Sequence, residues 1–191
     1  MVPDLDAHHI PSASCVGDEI WLGTARKGLF RVGPHGQVRQ SNTGRADGGL
    51  LKSSRIAKVF ADRAAGVWVS SFRSGLHRYD LSTNQFGAVE SEMTVTAIGP
   101  WADSEDLRIG ILAGQLVRLR CEDETMTEVR DQGSEITSIA QQADCLWVGT
   151  RGNGLFAFDG DVQVIVNERH HAGMPEAMLS DEVYSLWLDE T

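Results

Sequence analysis

Residues 145–158 read CLWVGTRGNGLFAF, and the same phrase stands at 19–32 as EIWLGTARKGLFRV and at 66–79 as GVWVSSFRSGLHRY. A more distant copy is LRIGILAGQLVRLR at 107–120. The three close copies share a tryptophan, an aliphatic residue, a small pair, a short loop, then Gly-Leu and an aromatic position. Trp21 and Trp68 stand 47 residues apart, Trp68 and Arg108 stand 40 apart, and Arg108 and Trp147 stand 39 apart. A second element precedes each phrase: IPSASCV at 10–16, IAKVFAD at 56–62, VTAIGPW at 95–101 and ITSIAQQ at 136–142. A fifth copy of it, VYSLWLDE, occupies 183–190. A period near 40 residues is that of a four-stranded propeller blade, among few other arrays.

The spacing inside one unit selects strand over helix. Cys145-Leu146-Trp147-Val148-Gly149 is a short apolar run, and Gly154-Leu155-Phe156-Ala157-Phe158 is another. Between them lie Thr150, Arg151, Gly152 and Asn153, the composition of a hairpin loop. A helical repeat would need a long run with apolar residues three and four apart, and residues 10–168 hold no convincing one. The fourth unit is therefore predicted as strands at 136–141, 145–149, 154–158 and 162–167, the last being the β-favouring run around Val164-Ile165-Val166. Gly23, Gly149 and Ser70 stand where strand two ends, where bulk would collide if strands converge. Gly28, Gly75 and Gly154 close the following loop, where a positive φ is expected. In the third unit Gln115 takes that place, which predicts a reshaped loop turning on Gly114.

These residues resemble the two-component regulator propeller repeat. Leu146-Trp147-Val148-Gly149-Thr150 with Gly154-Leu155-Phe156 matches that pattern best. Ile20-Trp21-Leu22-Gly23-Thr24 with Gly28-Leu29-Phe30 follows, and Asp62 to Trp68 carries the turn and tryptophan of a third copy. Gly173-Met174-Pro175 leading into Val183-Tyr184-Ser185-Leu186 is similar to the connection between blades. The resemblance covers about residues 10–190. The third unit departs from it, with Arg108 in place of the tryptophan, and Trp101 is placed to fill the missing volume.

The fold expected is an all-β propeller of four four-stranded antiparallel blades plus the first strand of a fifth. The blades span about 10–50, 56–92, 95–131 and 136–168, with the next beginning at 183–190, after an N-terminal extension at 1–9. Rings close at four to eight whole blades, and the chain has an inner strand too many for four and lacks the outer strands for five, so it reads as a fragment of a larger ring, the resemblance supplying the number seven, with a closed small ring as the competitor. The remaining blades or another copy of the chain would then be partners. The resemblance implies a ligand-sensing module of a bacterial signalling protein, non-catalytic itself, whose parent carries a histidine kinase or diguanylate cyclase. It implies a periplasmic location for a membrane-anchored sensor, with the cytoplasm as the alternative. A propeller lyase or hydrolase and an interaction scaffold are the competing functions.

Composition narrows the partners. The 191 residues carry 17 Lys and Arg against 27 Asp and Glu, a formal charge of −10, which disfavours a nucleic-acid binder. No apolar run is long enough to span a membrane. Met1 to Pro11 lacks the basic start and apolar stretch of a secretory signal. Cys15, Cys121 and Cys145 are too few and too far apart for a disulfide framework or a zinc site, and are expected as small buried side chains. His8-His9 and His170-His171 lack a third ligand at defined spacing, so no metal and no cofactor is expected. The acidic runs Asp103 to Asp106 and Glu122 to Glu124 read as charged turns. No nucleophile and base stand at catalytic spacing, and His77 in strand three is expected to pack or to face solvent. The loops between strands two and three offer Arg26, Lys27, Arg73 and Arg151, cations on one rim of an acidic protein. They are the candidate binding residues for a small-molecule or oligosaccharide ligand, anionic in character.

Overall fold

The two apolar runs of each repeated phrase pair as arms of an antiparallel hairpin in the computed structural model, Cys145–Thr150 against Leu155–Asp159 in the fourth copy. The structure describes residues 9–41, 51, 53–64, 66–82, 85–89, 93–101, 104–159, 163–168, 178 and 180–188. His8, Asp103, His170-His171 and the Gly173 to Pro175 linker lie outside them.

Sixteen strands form four four-stranded antiparallel sheets, the blades of an all-β propeller, and there is no helix among the described residues. Blade one is β1 (Ser12–Val16), β2 (Glu19–Gly23), β3 (Leu29–Val32) and β4 (Val38–Ser41). Blade two is β5 (Ile56–Ala61), β6 (Val67–Ser71), β7 (Gly75–Asp80) and β8 (Gln85–Val89). Blade three is β9 (Val95–Pro100), β10 (Leu107–Ile111), β11 (Gln115–Leu119) and β12 (Met126–Asp131). Blade four is β13 (Ile136–Gln142), β14 (Cys145–Thr150), β15 (Leu155–Asp159) and β16 (Gln163–Glu168). Strands pair in chain order within every blade. The chain divides into two compact units, Met1–Val95 and Thr96–Thr191.

In the first unit the core gathers Trp21, Leu29, Ile56, Val59, Val67, Val69, Tyr79 and Phe86. In the second it gathers Ala97, Leu116, Ile136, Leu146, Val148 and Phe158. Within each unit the blades meet through one repeated contact. The first residue of a blade's inner strand inserts against the last glycine of the preceding blade's second strand. A Cβ on Gly23 would lie 2.6 Å from Ile56 Cγ2, and one on Gly110 would lie 2.5 Å from Ile136 Cγ2. The repeat continues past the fourth blade: a Cβ on Gly149 would lie 2.6 Å from Val183 Cγ1. Backbone bonds hold the inserted residue, Ile56 N donating to Thr24 O and Val183 N to Thr150 O, both at 2.9 Å. Thr96 Oγ1 adds a bond to Ile136 O at 2.6 Å, and Thr137 Oγ1 does the same to Val183 O. The small residues at the end of strand two are thus hollows for the next blade's aliphatic side chain, and this contact is what excludes bulk there.

The expected fifth inner strand enters this docking position but forms no ladder. Glu182 makes a single bridge to Arg151, and Val183 to Leu188 are not in a strand. An inner strand is held by its own blade's second strand, and the described residues offer none beyond β16.

The tryptophans occupy one register position, with an arginine opposite on strand three: Trp21↔Arg31, Trp68↔Arg78 and Arg108↔Arg118. Trp21 and Trp68 are both fully buried, at 0% exposure. Each indole N–H donates to a carboxylate, Trp21 to Glu19 at 3.1 Å and Trp68 to Asp62 at 2.7 Å. The guanidinium of Arg31 lies 4.5 Å from the Trp21 ring centre, and that of Arg78 lies 5.3 Å from Trp68's. In blade three the substituted Arg108 is buried, donating to Pro100 O at 2.6 Å and to Gln141 Oε1 at 2.8 Å. Trp101 sits with the guanidinium groups of Arg108 and Arg118 each 4.5 Å from its ring centre, so it fills the vacated volume as expected. Blade four breaks the scheme. Trp147 faces Ala157, is only half-buried, and its buried Nε1 has no partner among the described residues.

The cysteines correct the reading from composition. Cys15 is exposed, and Cys121 and Cys145 are half-buried. Strand alternation decides it for Cys15: β1 alternates its exposure, Ser12 inward and Ala13 and Cys15 outward.

Gly23→Ala is expected to lower stability by about 1–3 kcal/mol through overlap with Ile56, measured by urea unfolding. A change within about 0.5 kcal/mol would contradict the hollow. Arg108→Ala is expected to cost about 2–4 kcal/mol, since it strands Pro100 O and Gln141 and uncovers Trp101.

Candidate ligand-binding rim

In blades one and four the loop between strands two and three is built by the threonine that follows the strand-two glycine. Thr24 Oγ1 donates to Gly28 O at 2.8 Å and accepts from Lys27 N at 2.9 Å. Thr150 repeats this with Gly154 O at 2.8 Å and Asn153 N at 3.1 Å. Each loop ends on a glycine in the left-handed region, φ 80° at Gly28 and 77° at Gly154, where a side chain is disfavoured. The third blade's loop is shorter and turns on Gly114 at φ 105°, whose N–H bonds Ile111 O at 2.9 Å.

The connection between blades runs beside these loops and ties them into one edge of each unit. In the first unit Gly28 N donates to Ser54 O at 2.8 Å, and Phe72 N donates to Arg55 O at 2.9 Å. Ser54-Arg55 therefore clamps both loops, and this edge gathers Arg26 and Lys27 from one loop and Arg73 from the other. All three are exposed. Arg55, which the sequence reading missed, joins them. It is exposed, and its guanidinium lies 4.1 Å from the Phe72 ring centre, with that of Arg73 at 5.5 Å. No carboxylate pairs with these four cations among the described residues. Arg55 had a sequence signal, being the last residue before an inner strand, the place that Glu135 and Glu182 take in the second unit.

The corresponding edge of the second unit carries the opposite sign. Arg151 lies 3.0 Å from Glu135, and its backbone N–H donates to Glu135 O at 2.9 Å. The Tyr184 ring centre is 5.7 Å from its guanidinium. Tyr184 in turn donates to Glu182 at 2.6 Å, and that bond holds its hydroxyl above the usual tyrosine range. Asp181 caps the loop, its carbonyl accepting from Gly152 N and Gly154 N at 2.9 and 3.0 Å. The structure thus brings Arg26, Lys27 and Arg73 to one edge of the first unit. It sets Arg151 in the second, with its charge already met by carboxylate.

The other polar candidates are structural. His77 is buried and shares a 3.3 Å hydrogen bond with Ser71, also buried, so neither meets a solute. Asp106 receives Arg118 at 2.5 Å, and Glu122 and Asp123 flank Arg120 at 3.6 and 3.4 Å. The Asp123 carboxyl is held below its ordinary value chiefly by the Thr125 hydroxyl. Burial pushes the Lys58 ammonium of β5 below its ordinary value. Among the described residues no group of three His, Cys, Asp or Glu could hold a metal ion, and no helix is long and apolar enough to cross a membrane.

No family model and no curated protein matches the chain. Solved structures do. The extracellular domain of the putative one component system BT4673 from B. thetaiotaomicron superimposes with a TM-score of 0.80 at 20% identity, over 94% of this chain and 24% of that one. The extracellular domain of the putative hybrid two component system BT3049 from the same organism gives 0.72 at 20% identity, over 95% and 24%. An auxiliary nutrient binding protein from Bacteroides thetaiotaomicron VPI-5482 gives 0.63 at 11% identity, over 81% and 40%. The chain spans about a quarter of the length of the first two. At these identities the likeness is one of fold, and at that level it bears out the resemblance read from the repeats.

Thr24→Val and Thr150→Val are each expected to cost about 1–2 kcal/mol, because the Lys27 or Asn153 N–H loses its acceptor and the Gly28 or Gly154 carbonyl keeps only the backbone one of its two donors, as thermal unfolding would show.

Proposed function

We propose that this chain is a sensing module of a bacterial signal-transduction protein, a propeller of the two-component regulator kind. It binds an anionic small molecule or oligosaccharide and is not itself a catalyst. The observation that carries the reading is the edge of the first unit, where Arg26, Lys27, Arg55 and Arg73 stand exposed with no carboxylate pairing them among the described residues. Four cations without counter-charge among the described residues, in a chain of net charge −10, are a recognition feature rather than a solubility one. Guanidinium forks take carboxylates two bonds at a time, and Phe72 beneath Arg55 and Arg73 limits their freedom and so the entropy lost on binding. Arg151 takes part more weakly, since Glu135 already neutralises it.

The likeness to extracellular sensor domains supports the signalling role and a periplasmic location for it. The burial of Ser71 and His77 supports a non-catalytic module. The parent in this proposal carries a histidine kinase or diguanylate cyclase output. The remaining blades or another copy of the chain cover the hollow-and-knob face that continues at Val183.

Calorimetry with a galacturonate oligomer and its uncharged methyl ester tests the ligand class. Binding is expected for the acid alone, and it should weaken on raising salt from about 50 to about 500 mM. The double variant Arg26→Ser with Arg73→Ser is expected to weaken binding by about tenfold or more at nearly unchanged Tm, a loss of about 1.4 kcal/mol or more. Arg151→Ser should change it little. Equal binding of acid and ester, or an unaltered double variant, would remove the anion reading.

A further inference from the structure

A second recognition feature lies at the other end of the first unit's strands, among the turns that join β1 to β2, β5 to β6 and β7 to β8. A cavity of about 570 Å³ opens there, within the size range of small-molecule sites. Its polar lining has both signs: Glu19 and Asp62 supply carboxylates, Arg31 and Arg63 supply guanidinium groups. The apolar lining is Val16, Ala61 and Leu81.

This lining is held rigid by bonds already described and some others. Arg31 is fixed on three sides. Its Nε and Nη2 reach Glu19 Oε2 at 3.0 and 2.9 Å, its Nη1 reaches the Tyr79 hydroxyl at 2.8 Å, and its plane lies over Trp21. Glu19 Oε2 accepts the Trp21 indole as well, so one carboxylate oxygen takes three donors. Its other oxygen, Oε1, accepts from none of the described residues, and the side chain keeps 27% of its exposure. Asp62 is oriented by Gly66 N at 2.6 Å and by Trp68 Nε1 at 2.7 Å, one donor to each oxygen, leaving each able to accept another. Arg63 is exposed at the β5–β6 turn.

The balance of charge selects the ligand. A lone anion entering the cavity would face two carboxylates, and a lone cation would face two guanidinium groups. A small molecule bearing both an ammonium and a carboxylate replaces hydration of both signs at once. We infer that this cavity is a binding site for a free amino acid. Its ammonium donates to Glu19 Oε1 and Asp62, its carboxylate lies against Arg63, and its side chain lies along Val16, Ala61 and Leu81. The site is separate from the cationic rim and stands whether or not the rim binds an anion.

Cys15 reports on the cavity, since it lines the cavity and its thiol is exposed. The test treats the full chain with N-ethylmaleimide and follows alkylation of Cys15, Cys121 and Cys145 separately by mass spectrometry. The twenty free L-amino acids are added one at a time at about 10 mM, a concentration that saturates sites of millimolar Kd. At least one is expected to slow Cys15 alkylation by about tenfold, with Cys145 unaffected; occupancy at this ratio to Kd sets that factor. Its N-acetyl and methyl ester forms should protect at least about threefold less, since each removes one of the two charges. Arg63→Ser should remove the protection in a chain that still unfolds cooperatively on heating, and Glu19→Gln should do so if it folds. The site is refuted if no amino acid protects Cys15, if the N-acetylated form or glucose protects equally, or if Arg63→Ser leaves protection intact.

Discussion

Every junction described within the two units rests on one contact, an aliphatic side chain seated where a neighbouring strand has no side chain at all. Ile56 enters at Gly23, Ile136 at Gly110 and Val183 at Gly149. Each seated side chain is worth about 1.5–3 kcal/mol of burial. Geometry matters as much as energy. The seat fixes how far one sheet can slide along the next, because the backbone bonds at Thr24 and Thr150 form only when the residue is fully home. The loops are anchored by the same threonines, so the contact that joins blades also places the residues that meet solvent.

The girdle of indoles follows from that placement. With the sheets fixed, the second-strand position of blades one to three lands beside strand three's arginine. The indole N–H, once buried, must then find an acceptor. Glu19 and Asp62 serve for Trp21 and Trp68. Blade three reaches the same packing with the parts exchanged, an arginine in the tryptophan's place and a tryptophan arriving from the preceding turn. A charged group is tolerated there because a backbone carbonyl, a glutamine and an aromatic face together replace its hydration. Blade four has neither the acid nor the arginine, and Trp147 is correspondingly less enclosed.

Much of the fold was legible because the repeat shows each unit four times. Tryptophan, glycine and threonine recur at fixed offsets, and the loop glycines take the backbone conformation expected of them. The role of Trp101 could be read from a missing side chain and a spare one. What could not be read is what depends on neighbours far along the chain. Gly23 was legible as a place without room, but not that Ile56, 33 residues on, occupies it. Arg26, Lys27 and Arg73 were visible as loop cations. That Glu135 would quench Arg151 while Arg55 reinforced the others depends on which connection lies against which loop. Cys15 was misjudged because burial of a thiol follows the phase of its strand, and composition carries no phase.

The seated residue belongs, in sequence, to the repeat after the one that receives it. The second and fourth repeats, and the segment at Val183, therefore each bring a plug for the repeat before them. An exchange of chain that keeps such a pair together leaves the Gly23, Gly110 and Gly149 sockets filled, so the sequence around them can drift over generations without redesign of those junctions. A cut displaced by even a few residues separates plug from socket and leaves a hole beside Gly23 or Gly110. Gene-level shuffling of such chains is thus confined to one phase of the repeat, set by a glycine and the isoleucine or valine that follows it in the next copy.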